Sequence, residues 1–366
     1  MRLSKKIIEL DNYIDQASRN LHLKILNPTN LAKIRRDFFA KKIKNPVFEY
    51  ELPSNDLLEL KRQISAIQLP AKGILNKIMI EKQRDILNKI DLIYSIGCSD
   101  FTEKSINVYG VPDKKLVNRS YDILNQPYEK EKRKKVLSKD AVRLLKINLQ
   151  TFGLEYKIKK EDIVTSCSIR SPQGLIVLKR KQRFSADFLN RLIVHEIGTH
   201  AFRYENGLQQ DLKVFRHGLI DYLPTEEGLA VYNEECFGLL KQVFLRNYAG
   251  RIIGVHFALQ NDFITTYREL KKFFDPKKAF QLTARIKRGL LDTSLPGGHT
   301  KDIVYLQGYF EVKDYVKNGG KIEDLYYGKI TWKDVDKVKK LGLKPPKILP
   351  VKFELFEDYE KVKNEN

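Results

Sequence analysis

The sequence predicts an α+β fold that is predominantly helical. It has a mostly helical N-terminal region over 1–150, a domain with a small antiparallel sheet over 151–345, and a Lys-rich tail over 346–366. Three observations predict this. Apolar residues recur at three and four spacing through LLELKRQISAIQLP and GILNKIMIEKQRDILNKIDLIYSIG, the stripe of an amphipathic helix. The texture changes at EYKIKKEDIVTSCSIRSPQGLIVLKRKQ (155–182), rich in β-branched residues and so suited to strands. Gly and Pro punctuate the segments.

In chain order, Pro70 and Gly97 close the two N-terminal helices. The polar stretch SDFTEKSINVYGVPDKK then reads as a loop. Helix resumes through SYDIL, and again from Ser138, an N-cap candidate, to Gly153, a C-cap candidate. The densest charged run, EKEKRKKVLSKD (129–140), mixes signs and reads as a solvated helix face. Pro172 and Gly174 divide 155–182 into a strand, a turn and the strand GLIVLKR. Ser185 caps a long helix, ADFLNRLIVHEIGTHAFRYENG, that stops at Gly207. LPTEEGLAVYNEECFGLLKQVF (223–244) is a further helix with Thr225 as its cap. Helices continue to about residue 290, where the Gly/Pro-rich LLDTSLPGGHTKD breaks them and short helices follow.

Bulk composition excludes several function classes. No window reaches the ~18 apolar residues of a membrane helix. The N-terminus, MRLSKKIIELDNYIDQASRNL, is amphipathic and carries acids, unlike a signal peptide, so a cytoplasmic location is expected. Cys98, Cys167 and Cys236 are far apart and odd in number, which argues against a disulfide framework and for small buried hydrophobes. The net charge of +21 favours acidic partners, among them acidic peptide tails. No RNA-recognition signature, Cys/His finger or basic zipper is present, so specific nucleic-acid binding is not expected.

The chemistry centres on HEIGTH, residues 195–200. His195 and His200 offer neutral nitrogen ligands suited to Zn²⁺, and Glu196 beside the first can act as general base toward a metal-activated water. In the common zinc-peptidase motif the two His are about four apart and share a helical face. Here they are five apart, which overshoots a full circle of α-helix by ~140°. The motif therefore requires an extra residue in the helix, a π-bulge, with Gly198 as the tolerant position in the spacer. The alternative is two ordinary helical histidines. A catalytic zinc needs a third protein ligand. PTEEGLA supplies Glu227, read as lying in the first turn of the next helix, where plain capping is the competing explanation. A third block, KRGLLDTSLPGGHTKDIVYLQG (287–308), places Lys287 and Arg288 before a loop with Asp292, Thr293, Ser294 and His299, followed by Tyr305. Cations of this kind bind a free carboxylate, and Tyr, His or Arg can steady an oxyanion.

The three blocks HEIGTHAFR, PTEEGLA and KRG-x-x-DTS-x-PG-x-x-x-KD-x-VYL stand in the order found in the microtubule-associated tyrosine carboxypeptidases and their microbial QEGLA-motif relatives. The chain resembles that family over roughly residues 150–310. The resemblance implies a zinc-peptidase-like catalytic domain and a zinc-dependent carboxypeptidase that acts on a peptide or protein C-terminus. It places one zinc ion on His195, His200 and Glu227, and the catalytic role on Glu196. By matched position and residue type, Tyr305 becomes the oxyanion stabiliser, and Lys287, Arg288, Thr293 and Ser294 the substrate-binding group. Eukaryotic members of the family remove the C-terminal tyrosine of α-tubulin. Residue 226 is Glu here, where the QEGLA relatives carry Gln.

Overall fold

A computed structural model describes residues 3–21, 23–129, 135–161, 167–180 and 184–356. Residues 130–134 of the basic run and 357–366 of the Lys-rich tail lie outside the described residues. In chain order the longer elements are α1 (Lys5–Asn20), α2 (Leu31–Phe39), α3 (Asp56–Ala66), α4 (Ile74–Tyr94), α5 (Phe101–Tyr109), α6 (Lys114–Asn125), β1 (Lys135–Val136) and α7 (Ser138–Thr151). Next come β2 (Lys157–Glu161), β3 (Cys167–Arg170), β4 (Leu175–Lys179), β5 (Phe184–Ser185), α8 (Ala186–Leu192), a π-helix (Ile193–Ala201), α9 (Phe202–Leu208) and α10 (Val214–His217). The order closes with α11 (Tyr222–Cys236), α12 (Gln242–Ala258), α13 (Phe263–Lys271), α14 (Pro276–Lys287), α15 (Val304–Lys317) and α16 (Val335–Lys340). The protein is predominantly helical, as its apolar periodicity predicts.

The chain folds into two compact units. Unit 1 is Met1–Tyr128 with Gln242–Gln307, and unit 2 is Glu129–Lys241 with Gly308–Asn366. In unit 1, α1, α3 and α4 pack on one another through Leu10, Ile14, Ile64 and Met79, all fully buried. α12, α13 and α14 also pack together. Phe38 of α2 closes this group in edge and tilted contacts with Phe263, Tyr267 and Phe280, at centroid distances of 4.9 to 5.4 Å. The stretch expected to be a loop after Gly97 contains α5. Its length is marginal for an isolated helix. Tertiary packing supplies the difference: Phe101 is fully buried against Leu26, Leu92 and Leu290, and the buried Ser105 hydroxyl meets that of Thr300 at 3.1 Å.

In unit 2 the small sheet is mixed, which corrects the antiparallel expectation. Its order is β2-β4-β3, with β2 parallel and β3 antiparallel to β4. β4 is central because Ile176, Val177 and Leu178 are buried on both faces. Lys157, Lys159 and Lys160 of β2 suit an edge strand, where charge guards unpaired backbone. β1 and β5 form a separate antiparallel pair of two residues each. Two caps also differ from expectation. Ser138 is the first helical residue of α7, with Leu137 at the N-cap. Thr225 lies inside α11, which starts at Tyr222 and ends at Cys236. Of the cysteines, Cys167 is buried, whereas Cys98 and Cys236 are exposed.

The segment leading to Phe356 is packed in unit 2, with Phe353 and Phe356 buried. The Asn148 amide exchanges hydrogen bonds with the Glu354 backbone, and Asn190 accepts from the Phe356 N–H. These bonds seat Phe353 against Phe152, Phe202 and Phe237. No helix among the described residues is long and apolar enough to cross a membrane.

Candidate metal centre

Ser185 accepts a hydrogen bond from the Phe188 N–H and starts α8 as its residue type predicts. The helix then widens into the π-helix Ile193–Ala201 before α9 continues it. A π-turn takes in an extra residue, so positions five apart return to one face. The rings of His195 and His200 lie 5.0 Å apart, nearly perpendicular. Widening a helix frees main-chain carbonyls that then need other donors. Gly198 O accepts from the Tyr326 hydroxyl at 2.8 Å, and Asn233 donates to both Thr199 Oγ1 and Tyr326 Oη at 2.8 Å. Gly198 does not have a positive φ. Its role is to admit Phe353, whose Cζ would lie 2.6 Å from a Cβ there.

Glu227 comes from α11, one of the helices packed on the π-helix. Within unit 2, Gly228 lies so close to α15 that a Cβ would meet the Gly308 carbonyl carbon at 2.0 Å. Only glycine permits that backbone approach, and the approach seats Glu227. We expect Gly228→Ala to destabilise unit 2 by about 3 kcal/mol, since neither partner is a side chain that can turn aside. Denaturant unfolding with an unchanged m-value would measure this.

His195 Nε2 and His200 Nε2 are each 3.7 Å from Glu227 Oε2. That is longer than a hydrogen bond. It is close to the spacing of two ligands on one small ion, because bonds of ~2.1 Å near the tetrahedral angle place ligand atoms ~3.4 Å apart. His195, His200 and Glu227 are a group of potential metal ligands whose ligand atoms lie within 4.8 Å of one another. Among the described residues, His217 and His299 are not in the group.

The other nitrogen of each imidazole decides which atom faces the group. His195 Nδ1 is 2.7 Å from Glu234 Oε1, and His200 Nδ1 is 2.8 Å from Glu226 Oε1. A carboxylate at Nδ1 holds the proton there and leaves the Nε2 lone pair for a cation. Glu234 is fully buried and accepts two bonds from Arg191 Nη1, at 3.1 and 3.2 Å. Glu226 accepts from Lys329 Nζ at 2.7 Å and from Arg203 Nη1 at 2.6 Å. Arg203 is itself sealed in, with Nε and Nη2 bonded to the carbonyls of Leu325, Gly328 and Ile330. Burial alone would raise the Glu226 carboxyl, but Lys329, Arg203 and His200 outweigh it and hold the pKa far below the usual carboxylate range. Glu226 and Glu227 both lie beyond the first turn of α11 and are buried, so neither is a cap. Glu234 and Arg191 were missed from sequence. Their signal was spacing: Glu234 is seven residues, two turns, after Glu227, and Arg191 is four before His195. For a divalent ion held on this group, we expect Glu234→Ala to weaken binding roughly 10- to 100-fold, as loss of a partner to a ligating His does. Competition with a chromophoric chelator would read it.

Glu196 follows His195 and is partly exposed. Its surroundings include β3: the Cys167 thiol is pushed well up, first by burial and then by the Glu196 charge.

The remaining residues singled out from sequence belong to unit 1. Lys287 is buried, and its ammonium donates to the carbonyls of Ala258, Asn261 and Leu295. Burial lowers its pKa to about 8. Thr293 is buried with its hydroxyl on Pro46 O, and Ser294 is exposed, its N–H on Asp292. These contacts knit the loop. Arg288 donates to His299 Nδ1 at 3.3 Å and to Asn27 at 3.4 Å. Tyr305 stacks on Tyr248 at 5.4 Å.

Fold and site together define a helical protein with a three-donor group suited to one divalent cation. The sequence matches the family of microtubule-associated tyrosine carboxypeptidases over residues 36–363. The chain belongs to that family. It is similar to mouse MATCAP2, at 28% identity over 328 residues, 88% of this chain and 56% of that protein. It is also similar to microtubule-associated tyrosine carboxypeptidase 1 of human, at 33% over 161 residues (43% of this chain, 34% of the relative), and of rat, at 25% over 330 residues (87% and 62%). The chain thus spans a little over half the length of the mouse MATCAP2 that it matches along most of its own length.

Proposed function

We propose that this protein is a zinc-dependent carboxypeptidase that removes the C-terminal residue, tyrosine or another aromatic, from a peptide or protein. One observation carries the reading: both imidazoles are turned by buried carboxylates so that their Nε2 atoms converge on Glu227. A structural zinc site is closed by four protein ligands, and a catalytic one leaves a position for water or substrate. Among the described residues the group has three members, which supports the second kind. Zinc held there would polarise the scissile carbonyl and make an adjacent water acidic.

The chain's own residues do the rest. Glu196 takes the proton from the attacking water and delivers it to the departing amine. Glu234 and Glu226 take the Nδ1 side of both histidines, so each Nε2 stays turned toward the group and fixed in orientation. Tyr305, Lys287, Arg288, Thr293 and Ser294, all of unit 1, keep the roles that the resemblance implies for them, oxyanion stabiliser and substrate-binding group, as part of this proposal. Lys287 and Thr293 would act there by holding the loop. The net charge of +21 suits an acidic protein terminus as substrate.

The test is a library of peptides offered as free acids and as C-terminal amides, with products read by mass spectrometry. Loss of single C-terminal residues is expected, with amides cut about 100-fold more slowly because they lack the charge a guanidinium recognises. Internal cleavage, or equal rates for acid and amide, would refute exopeptidase action.

A further inference from the structure

The helix that carries both histidines is fastened along its length by one later segment, residues 347–356, within unit 2. On α9, beyond the π-helix, the Asn206 side chain accepts from the Lys347 and Ile348 N–H groups and donates to Ile348 O, at 2.8 to 3.1 Å. On α8, before the π-helix, Asn190 accepts from the Phe356 N–H at 2.7 Å. Between these two fastenings, Phe353 meets the π-helix itself at Gly198. The segment therefore runs opposite to the helix and is held on both sides of its widened part. Asn206 and Asn190 are 0% and 2% exposed, so loss of either would strand buried polar groups. Asn148 of α7 pins Glu354, beside the ring.

Phe353 also links the two elements that supply the converging donors. It stacks on Phe202, the residue after the π-helix, at 6.0 Å, and packs edge-on against Phe237, the C-cap of α11, at 5.1 Å. His195 and His200 lie on the first element and Glu227 on the second. Ordinary α-helix competes with the π form, and in it side chains five apart diverge by ~140°. We propose that residues 347–356 splint the π-helix. Asn190 and Asn206 hold the helix on either side, and Phe353, wedged on Gly198, keeps it wide enough for His195 and His200 to share a face. Phe353 is thus a positioning residue for the metal centre, acting through the π-helix. The splint rests on these contacts alone; its consequence for a bound ion rests on the proposed function.

The test uses the full chain and two readouts. One is zinc affinity, by competition with a chromophoric chelator. The other is amide hydrogen exchange across Ile193–Ala201 in metal-free protein. Phe353→Ala is expected to weaken zinc binding about 10-fold, the scale that follows loss of a ligand's outer support, and to speed exchange in the π-helix more than in α16. Val338→Ala, at a fully buried position of α16, controls for lost packing: it should lower the melting temperature and leave both readouts at wild type. If Phe353→Ala does not fold, Phe353→Leu keeps apolar bulk but removes the ring from Gly198, and smaller changes in the same directions are expected. Either readout unchanged in the folded Phe353 variant, or equal changes in Val338→Ala, would overturn the proposal. A wild type that binds no zinc, with faster π-helix exchange in the Phe353 variant, refutes the metal reading and leaves the splint standing. A wild type and a Phe353 variant that bind zinc equally well and exchange alike do the reverse.

Discussion

Glu196→Gln is expected to lower peptide hydrolysis by roughly 10³-fold, within the range contributed by a positioned general base, while zinc content stays that of the wild type. The two readouts separate because Glu196 is not among the three converging side chains. Gln has almost the same volume and can still hydrogen-bond a water, but it cannot accept the water's proton. Glu196 sits in the π-helix, whose main-chain carbonyl at Gly198 is tied to Tyr326 and whose Thr199 is tied to Asn233, so the exchange should leave the backbone unchanged. Kinetics on a free-acid peptide and elemental analysis of the same preparation make the comparison. Turnover within a few-fold of wild type would remove Glu196 from the mechanism. Loss of metal together with activity would move it into the ligand group.

Glu227→Ala is expected to abolish stable zinc binding, with affinity reduced well beyond the roughly 100-fold that follows loss of an outer partner. Hydrolysis should disappear with it. The clearest readout needs no substrate. A ligand bound only by the folded state raises stability by RT ln(1 + [L]/Kd), about 2.7 kcal/mol at 100 times Kd. Added zinc should therefore raise the melting temperature of the wild type and leave that of Glu227→Ala unmoved. Glu227 is 7% exposed in a helix that touches the π-helix, so the alanine variant also loses packing and should melt lower without zinc. A zinc-induced shift as large as that of the wild type would show that the ion, if held, sits elsewhere.

Much of the architecture was legible from residue pattern. The periodicity of 74–94 marks a helix, and α4 spans that range. The β-branched run marks strands, and Ser185 marks a cap that forms. The five-residue gap between His195 and His200 demanded a π distortion, and the π-helix is there. Less legible were features whose cause lies far along the chain. α5 hides in a polar stretch because Phe101 is held by Leu290, nearly two hundred residues away. The parallel pairing of β2 with β4 could not be read from composition, because register and direction depend on which strand buries both faces. The partners of Lys287 and Thr293 were equally out of reach: their polar atoms meet main-chain carbonyls at 258, 261, 295 and 46.

The sequence by itself determined the predominantly helical class, the family and the order of the three blocks, and it nominated His195, Glu196, His200 and Glu227 for the roles proposed above. Residue type and local spacing suffice for these, since hydrogen-bonding capacity and helical phase are local properties. Only the tertiary structure decided which nitrogen of each imidazole points inward, that Glu234 and Glu226 set it, and that Arg203, Lys329 and Arg191 anchor those acids. The physical reason is that a buried charge is stable only beside its counter-charge, and those partners are supplied by segments brought together in space rather than by neighbours in the chain.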